Sequence, residues 1–137
     1  MKILHGKNSS GGVVESLGPY EIEALISANE EGQFTAYRVL IEPDQETSES
    51  YHKIAEEIYY IVAGKGTAYL DGKVFNLEPG DFLRLPPGTR HRFVTREEPL
   101  EMLDIHSPGS RPDRDVYFNG DTPDGFCLLY TSPSPRD

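Results

Sequence analysis

The sequence is poor in several features that would assign a protein to a specialised class. Its 137 residues include one cysteine and no tryptophan, so an internal disulfide is impossible, which suits a reducing cytoplasm. Apolar residues, 36% of the chain, occur in short runs, far below the ~20 consecutive residues that a membrane-spanning helix needs. The N-terminus has no apolar block of signal-peptide length. We therefore expect a cytoplasmic protein.

Basic residues are outnumbered by acidic ones. The chain has 13 Lys and Arg against 23 Asp and Glu, which gives a formal net charge of −10 at pH 7. Nucleic-acid binding depends on Lys and Arg to neutralise phosphates, and an anionic membrane surface disfavours an acidic protein for the same reason. We expect neither nucleic acid nor a membrane as a partner. The length is that of one domain, which is large enough for a single core.

The C-terminal segment 127–137, CLLYTSPSPRD, resembles the peptide translated from a DNA-library adapter. An ordinary Ser/Pro-rich disordered tail is the alternative. We favour the adapter because the resemblance extends over the whole segment, and we predict that native sequence ends near Phe126. The segment is then excluded from fold reasoning. Cys127, the sole cysteine, is excluded with it.

Short apolar or alternating segments recur along the chain, separated by Gly, Pro, Asp and Asn. This pattern is typical of β-strands, and close spacing of strands favours an all-β sandwich or barrel. Asp71-Gly72 between two segments indicates a hairpin. We predict a flexible lead-in over 1–19 and one domain over 20–126. The predicted strands are 20–26, 34–41, 57–64, 66–72, 73–77, 81–85, 91–95 and 101–105.

Two imidazoles and a carboxylate occur in segments predicted to lie at strand ends. If 50–53 is extended, a turn over 53–56 brings His52 near Glu57, which shares its strand face with Tyr59. Further along, His91 begins a strand after the Pro-Pro-Gly turn, with Phe93 on the same face. Neutral imidazole and carboxylate are ligands for Fe, Mn, Ni, Zn and Cu. The pattern therefore predicts a metal site.

These two stretches resemble the paired motifs of the cupin superfamily. The first motif is H-x-H-x(3–4)-E-x6-G, and its positions are filled here by Ser50, His52, Glu57 and Gly64. The second is G-x5-P-x-G-x2-H-x3-N, and its positions are filled by Gly80, Pro86, Gly88, His91 and Thr95. The resemblance covers 34–106. It implies a cupin-type double-stranded β-helix, or jelly-roll barrel, a homodimer, and one divalent transition metal: Fe foremost, with Mn, Cu, Ni or Zn as alternatives.

One ligand of the first motif is replaced. The resemblance implies His52, Glu57 and His91 as ligands and leaves Ser50 in the vacant position, where a water would bind. Two His and one carboxylate match the ligand identities of non-haem iron oxygenases. We therefore predict a metal-dependent oxidoreductase, dioxygenase- or oxidase-like, that acts on a small organic or carbohydrate-derived substrate. A metal-dependent lyase or isomerase and a non-catalytic sugar-binding or sensory domain are the alternatives.

Four other side chains are candidates for the pocket. Tyr59 would donate a hydrogen bond to substrate or O₂, and Phe93 would line the same face. His106 would act as a base or an extra ligand, and Arg38 would bind a substrate carboxylate. Each has an ordinary explanation: barrel lining for the two aromatic rings, a hydrogen-bonded strand end for His106, and a solvated strand position for Arg38.

Overall fold

The computed structural model describes residues 1–6, 14–27, 29–109 and 115–120, and these residues form eleven strands. The strands are β1 (Val14–Leu17), β2 (Tyr20–Ile26), β3 (Thr35–Ile41), β4 (Ser50–Tyr51), β5 (Glu56–Gly64), β6 (Gly66–Leu70), β7 (Lys73–Leu77), β8 (Phe82–Leu85), β9 (His91–Val94), β10 (Leu100–Ser107) and β11 (Tyr117–Phe118). In this described part, no helix has the length and apolar character needed to cross a membrane. The predicted tail over 127–137 lies outside the described residues.

The strands form two antiparallel sheets. One has the order β1-β2-β3-β10-β5-β8 and the other the order β11-β4-β9-β6-β7. The prediction of an all-β cupin-type jelly roll is confirmed. The predicted hairpin joins β6 to β7: Leu70 pairs with Lys73, and Asp71 and Gly72 both have positive φ, 49° and 81°, as a tight two-residue turn requires.

Each of the eight predicted strands overlaps an observed one, and the structure adds β1, β4 and β11. β4 and β11 have two residues each, too few for an alternating pattern to be visible. β1 lies inside the segment predicted to be a flexible lead-in, and it pairs with β2 along its whole length. Among the described residues, the six-stranded sheet therefore includes Val14–Leu17, which precedes the predicted start of the domain.

The core lies between the two sheets and is filled by alternate side chains. On β5, Glu57, Tyr59 and Ile61 are buried, whereas the residues between them are exposed, because successive side chains of a strand point to opposite faces. β10 alternates in the same way. The buried apolar cluster consists of Leu17, Tyr20, Val39, Ile41, Tyr59, Ile61, Ala68, Leu77, Leu85, Phe93, Leu100 and Met102.

Candidate metal centre

A single carboxylate, that of Glu57, occupies the middle of the candidate site. Glu57 is on the inward face of β5 and is 1% exposed. Its Oε1 lies 3.4 Å from Nε2 of His52 and 3.6 Å from Nε2 of His91. The ligand atoms of these three residues all lie within 4.8 Å of one another. The structure thus brings together the three side chains that the sequence predicted as ligands.

The elements that position this group are β4, β5 and β9. Ser50 on β4 pairs directly with His91 on β9, and the Ser50 hydroxyl oxygen lies 3.4 Å from Nε2 of His91. Ser50 is buried, and this contact shows that its side chain faces the site. The turn after β4 then returns the chain to Glu57 and places His52 beside it.

Both imidazoles are oriented by backbone carbonyl groups. Nδ1 of His52 lies 2.6 Å from the carbonyl oxygen of Asp115, and Nδ1 of His91 lies 3.1 Å from that of Thr89. A ring whose Nδ1–H donates to a carbonyl carries its free lone pair on Nε2. Nε2 is the atom that faces Glu57 in both rings, so each ring, when neutral with its proton on Nδ1, would present the lone pair of Nε2 to a metal.

Asp115 also holds the loop that carries His52. Its carboxylate accepts hydrogen bonds from the backbone amides of Lys53 at 2.9 Å, Ile54 at 3.2 Å and Ala55 at 2.9 Å. Since these amides follow His52 directly, one residue fixes both the path of the loop and the orientation of the ring. The role of Asp115 was not foreseen, because its loop is polar and the contact is distant in sequence.

A third imidazole and a second carboxylate lie near the other carboxylate oxygen of Glu57. His106 on β10 pairs with Glu57 on β5, and its Nε2 lies 2.8 Å from Oε2 of Glu57. Asp104, two residues earlier on the same face, has Oδ1 3.7 Å from Nε2 of His106. His106 is therefore part of the site rather than a peripheral strand end. Asp104 was missed, although Met102, Asp104 and His106 alternate with outward residues in the sequence.

The cluster shifts the pKa values of its members. Burial opposes ionisation of Glu57, but the imidazoles of His106, His52 and His91 outweigh it and hold its pKa well below the usual range. Burial, reinforced by the charge of Glu57, raises the pKa of Asp104 well above its usual value. Burial lowers the pKa of His52, but the Glu57 carboxylate more than offsets it, so the net shift is upward. For His91, burial dominates and the pKa is lowered.

The donor set fits a metal ion. Three buried carboxylate oxygens accept no aligned hydrogen bond within the described residues: both oxygens of Glu57 and Oδ1 of Asp104. Of their contacts with the imidazoles, only that of Oε2 of Glu57 with Nε2 of His106, at 2.8 Å, is short, and it lacks the alignment of a hydrogen bond. Buried carboxylate oxygens are costly unless they are paired or bind a cation. Two neutral imidazoles and a carboxylate, with Nε2 atoms directed at one point, are suitable ligands for a divalent transition metal.

The remaining pocket candidates have different outcomes. Tyr59 and Phe93 are buried beside the site, with the Tyr59 ring 6.1 Å from that of His91 and 5.0 Å from that of Phe93. The prediction that Arg38 binds a substrate carboxylate is corrected. Arg38 is half-buried on the outward face of β3, and its Nε donates to Oε2 of Glu101 at 2.8 Å. The alternation of β3 turns Tyr37 and Val39 inward and Arg38 outward, so Arg38 is not available to a substrate inside the barrel.

The family model described as "Cupin domain" matches residues 37–106, which is just over half of the chain and includes every predicted ligand. The chain belongs to the cupin family. Ser50, His52, Glu57 and His91 all lie inside the matched region, and His106 is its last residue.

Several proteins are similar to this cupin. It is 30% identical over 91 residues to a quercetin 2,3-dioxygenase of Bacillus subtilis, a match that covers 65% of this chain and 27% of the relative. It is 31% identical over 98 residues to Protein SchB of Streptomyces halstedii, covering 70% of this chain and 71% of that protein. The matches span 27–54% of the length of the first three curated relatives.

Solved structures agree with the fold. Streptomyces Pac13 with uridine has a TM-score of 0.72 and 18% sequence identity, and the superposition covers 88% of this chain and 94% of Pac13. Pac13 is described as a nucleoside dehydratase. At this level of identity the similarity shows the barrel alone.

Proposed function

We propose that this cupin is a metal-dependent oxidoreductase in which His52, Glu57 and His91 bind one divalent transition metal, with iron as the first choice. Its substrate is a small organic or carbohydrate-derived molecule. The observation that carries the proposal is the buried Glu57 carboxylate, whose Oε1 lies within 3.6 Å of two imidazole Nε2 atoms. The similarity to a dioxygenase supports the choice of an oxidation.

The chain's own residues have distinct tasks in this proposal. His52 and His91 offer Nε2 because Asp115 and Thr89 accept the protons on Nδ1. The metal, when bound, supplies open coordination positions for substrate and O₂. Ser50 leaves one side of the site free of a protein ligand, and its hydroxyl is placed to hydrogen-bond a group bound there.

Metal content tests this proposal. The protein is purified, stripped with a chelator, reloaded with Fe²⁺ under anaerobic conditions and measured by mass spectrometry. His91→Ala should contain one ion fewer per chain than the wild type. Consumption of O₂ on adding quercetin as a probe substrate should require the reloaded metal. Equal metal content in the wild type and His91→Ala would rule out this ligand set.

A lyase or isomerase is the second candidate, and one observation favours it. His106 and Asp104 lie beside Glu57, where an imidazole and a carboxylate can move a proton to or from a substrate. The fold is also that of a nucleoside dehydratase. Turnover without O₂ separates the two reaction classes, because an oxygenase stops under anaerobic conditions and a lyase does not. A non-catalytic sugar-binding cupin would instead be stabilised by a sugar whether or not a chelator is present.

We also propose that the protein is a homodimer that pairs through the outward face of the six-stranded sheet. On this face Tyr60 of β5 pairs with Phe82 of β8, and they are 46% and 70% exposed, with Ile58 and Val62 alongside at 40% and 43%. Adjacent exposed apolar side chains mark association surfaces. Phe82→Glu should halve the mass measured by light scattering, whereas Val74→Glu, at an exposed position of the other sheet, should not. A monomeric wild type would contradict this.

A further inference from the structure

A second group of potential ligands lies beside the first and shares one residue with it. The ligand atoms of Glu57, Asp104 and His106 all lie within 4.8 Å of one another, just as those of the His52 group do. The three residues are 1%, 7% and 5% exposed. None of this second group except Glu57 belongs to the two motifs on which the family resemblance depends.

Glu57 presents a different oxygen to each group. Oε1 is the atom near His52 and His91, whereas Oε2 lies 2.8 Å from Nε2 of His106. A carboxylate that offers one oxygen to each of two sites is able to bridge two cations. Enzymes with two-metal sites hold their ions roughly 3.5–4 Å apart, a separation that one bridging carboxylate can span.

One oxygen of Asp104 lacks an aligned hydrogen bond. Oδ1 of Asp104 is 3.7 Å from Nε2 of His106, beyond the range of a hydrogen bond, and among the described residues it has no hydrogen-bond partner. Asp104 also lies close to a second buried carboxylate, Glu57. Two ionised carboxylates in one buried cluster would repel each other and are costly to desolvate, in keeping with the raised pKa of Asp104. A cation between them would relieve both costs.

We propose that Glu57, Asp104 and His106 form a second divalent-cation site, and that Glu57 bridges it to the ion held by His52 and His91. The facing of β5 and β10 builds this site, because His106 pairs directly with Glu57 and Asp104 pairs with Tyr59. Two carboxylates and one imidazole form an oxygen-rich donor set that suits Mn²⁺ or Fe²⁺. The site goes beyond the single-metal function proposed above and uses neither His52 nor His91.

Manganese stoichiometry tests the second site. Each protein is stripped with a chelator, reloaded with Mn²⁺ alone, freed of excess metal by gel filtration, and measured by mass spectrometry. The wild type should retain two ions per chain and Asp104→Asn one. Glu56→Gln, an exposed carboxylate next to Glu57 on the opposite face, should retain two. His106→Gln repeats the test with the other ligand, and circular dichroism establishes that each variant is folded.

Electron paramagnetic resonance tests whether the two ions are adjacent. Bridged Mn²⁺ ions are exchange-coupled, so the wild-type spectrum should differ from that of isolated Mn²⁺, and Asp104→Asn should regain the isolated pattern. The same ion count in the wild type and in Asp104→Asn overturns the second site. Failure of the first site is distinguishable, since it would appear as unchanged metal content in His91→Ala.

Discussion

Replacing Asp115 with Ala should destabilise the fold and weaken metal binding together. The carboxylate accepts three backbone amides, and hydrogen bonds to a charged group contribute about 1.5–3 kcal/mol each. Lys53 and Ile54 are exposed, so in the variant water can accept hydrogen bonds from their amides, and the loss of each bond lowers the free energy of unfolding by about 0.5 kcal/mol. The amide of Ala55, a residue that is 1% exposed, counts in full. The sum is a loss of about 3 kcal/mol, or roughly 10 °C in Tm.

The effect on metal binding follows from the carbonyl group of the same residue. It lies 2.6 Å from Nδ1 of His52, and loss of the carboxylate frees the segment that holds this carbonyl in place. Removing a partner that orients a ligating imidazole typically lowers metal affinity 10–100-fold, as an order of magnitude. We expect a loss of about tenfold for Zn²⁺, measured by competition with a chromophoric chelator.

Two matched variants make this test decisive. Asp115→Asn keeps one side-chain oxygen as an acceptor and should fall between the wild type and Asp115→Ala in urea denaturation. Asp81→Ala removes another carboxylate that accepts a backbone amide, that of Glu78 at 2.9 Å, but it lies in the turn before β8, away from the three proposed ligands, and should leave Zn²⁺ affinity unchanged. If Asp115→Ala matches the wild type in both stability and affinity, the role assigned to Asp115 is wrong.

Three other perturbations have defined outcomes. Gly64→Ala should lower the free energy of unfolding by about 3 kcal/mol or more, because φ is +83° and a Cβ would overlap the Pro99 carbonyl. Gly72→Ala, with φ +81° but open space for a Cβ, should lower it by about 1 kcal/mol. Equal losses in urea denaturation would contradict this. Ser50→His should raise Zn²⁺ affinity by about tenfold or more, since it adds an imidazole beside His91; unchanged affinity would show that the position does not reach the ion. Zn²⁺ affinity should fall as pH is lowered, because protons compete with the metal for His52. The pKa of His52 is raised above 6.5 by Glu57, so the loss of affinity should begin above pH 6.5. Constant affinity between pH 8 and 6 would refute this prediction.

Most of the fold could be predicted because the tendency to form a strand depends on the local pattern of apolar and polar residues. Alternation of apolar and polar residues identified eight segments that overlap observed strands, and Asp71-Gly72 identified its hairpin. The inward group of His52, Glu57 and His91 followed from the same alternation combined with the motif spacing. β4 and β11 showed no such alternation, because each has only two residues. These strands are defined by their pairing: β4 pairs with β9, and β11 pairs with β4.

The rest of the site could be predicted only in part because it depends on strand pairing between distant segments. His106 was named as a candidate, but its contact with Glu57 was not, and Asp104 was missed. His106 meets Glu57 through the register of β10 on β5, which includes an irregularity between Glu101 and Met102. Nothing near His106 in sequence reveals that register. Arg38 failed for a related reason: β3 has apolar residues on both of its faces, so its composition does not show which face is inward.

The close approach at Gly64 shows that the two motifs record two kinds of requirement. Gly64 is needed because the chain at Pro99 passes where a side chain would be. Thr95 likewise serves the backbone, since its hydroxyl donates to the carbonyl of Glu42 at 2.6 Å and accepts from the amide of Gln45 at 3.0 Å. Such positions preserve the architecture whatever reaction is catalysed. A chain with a hydroxyl instead of an imidazole at position 50 can therefore still match the family, so membership of the family does not by itself determine which ligands the site offers.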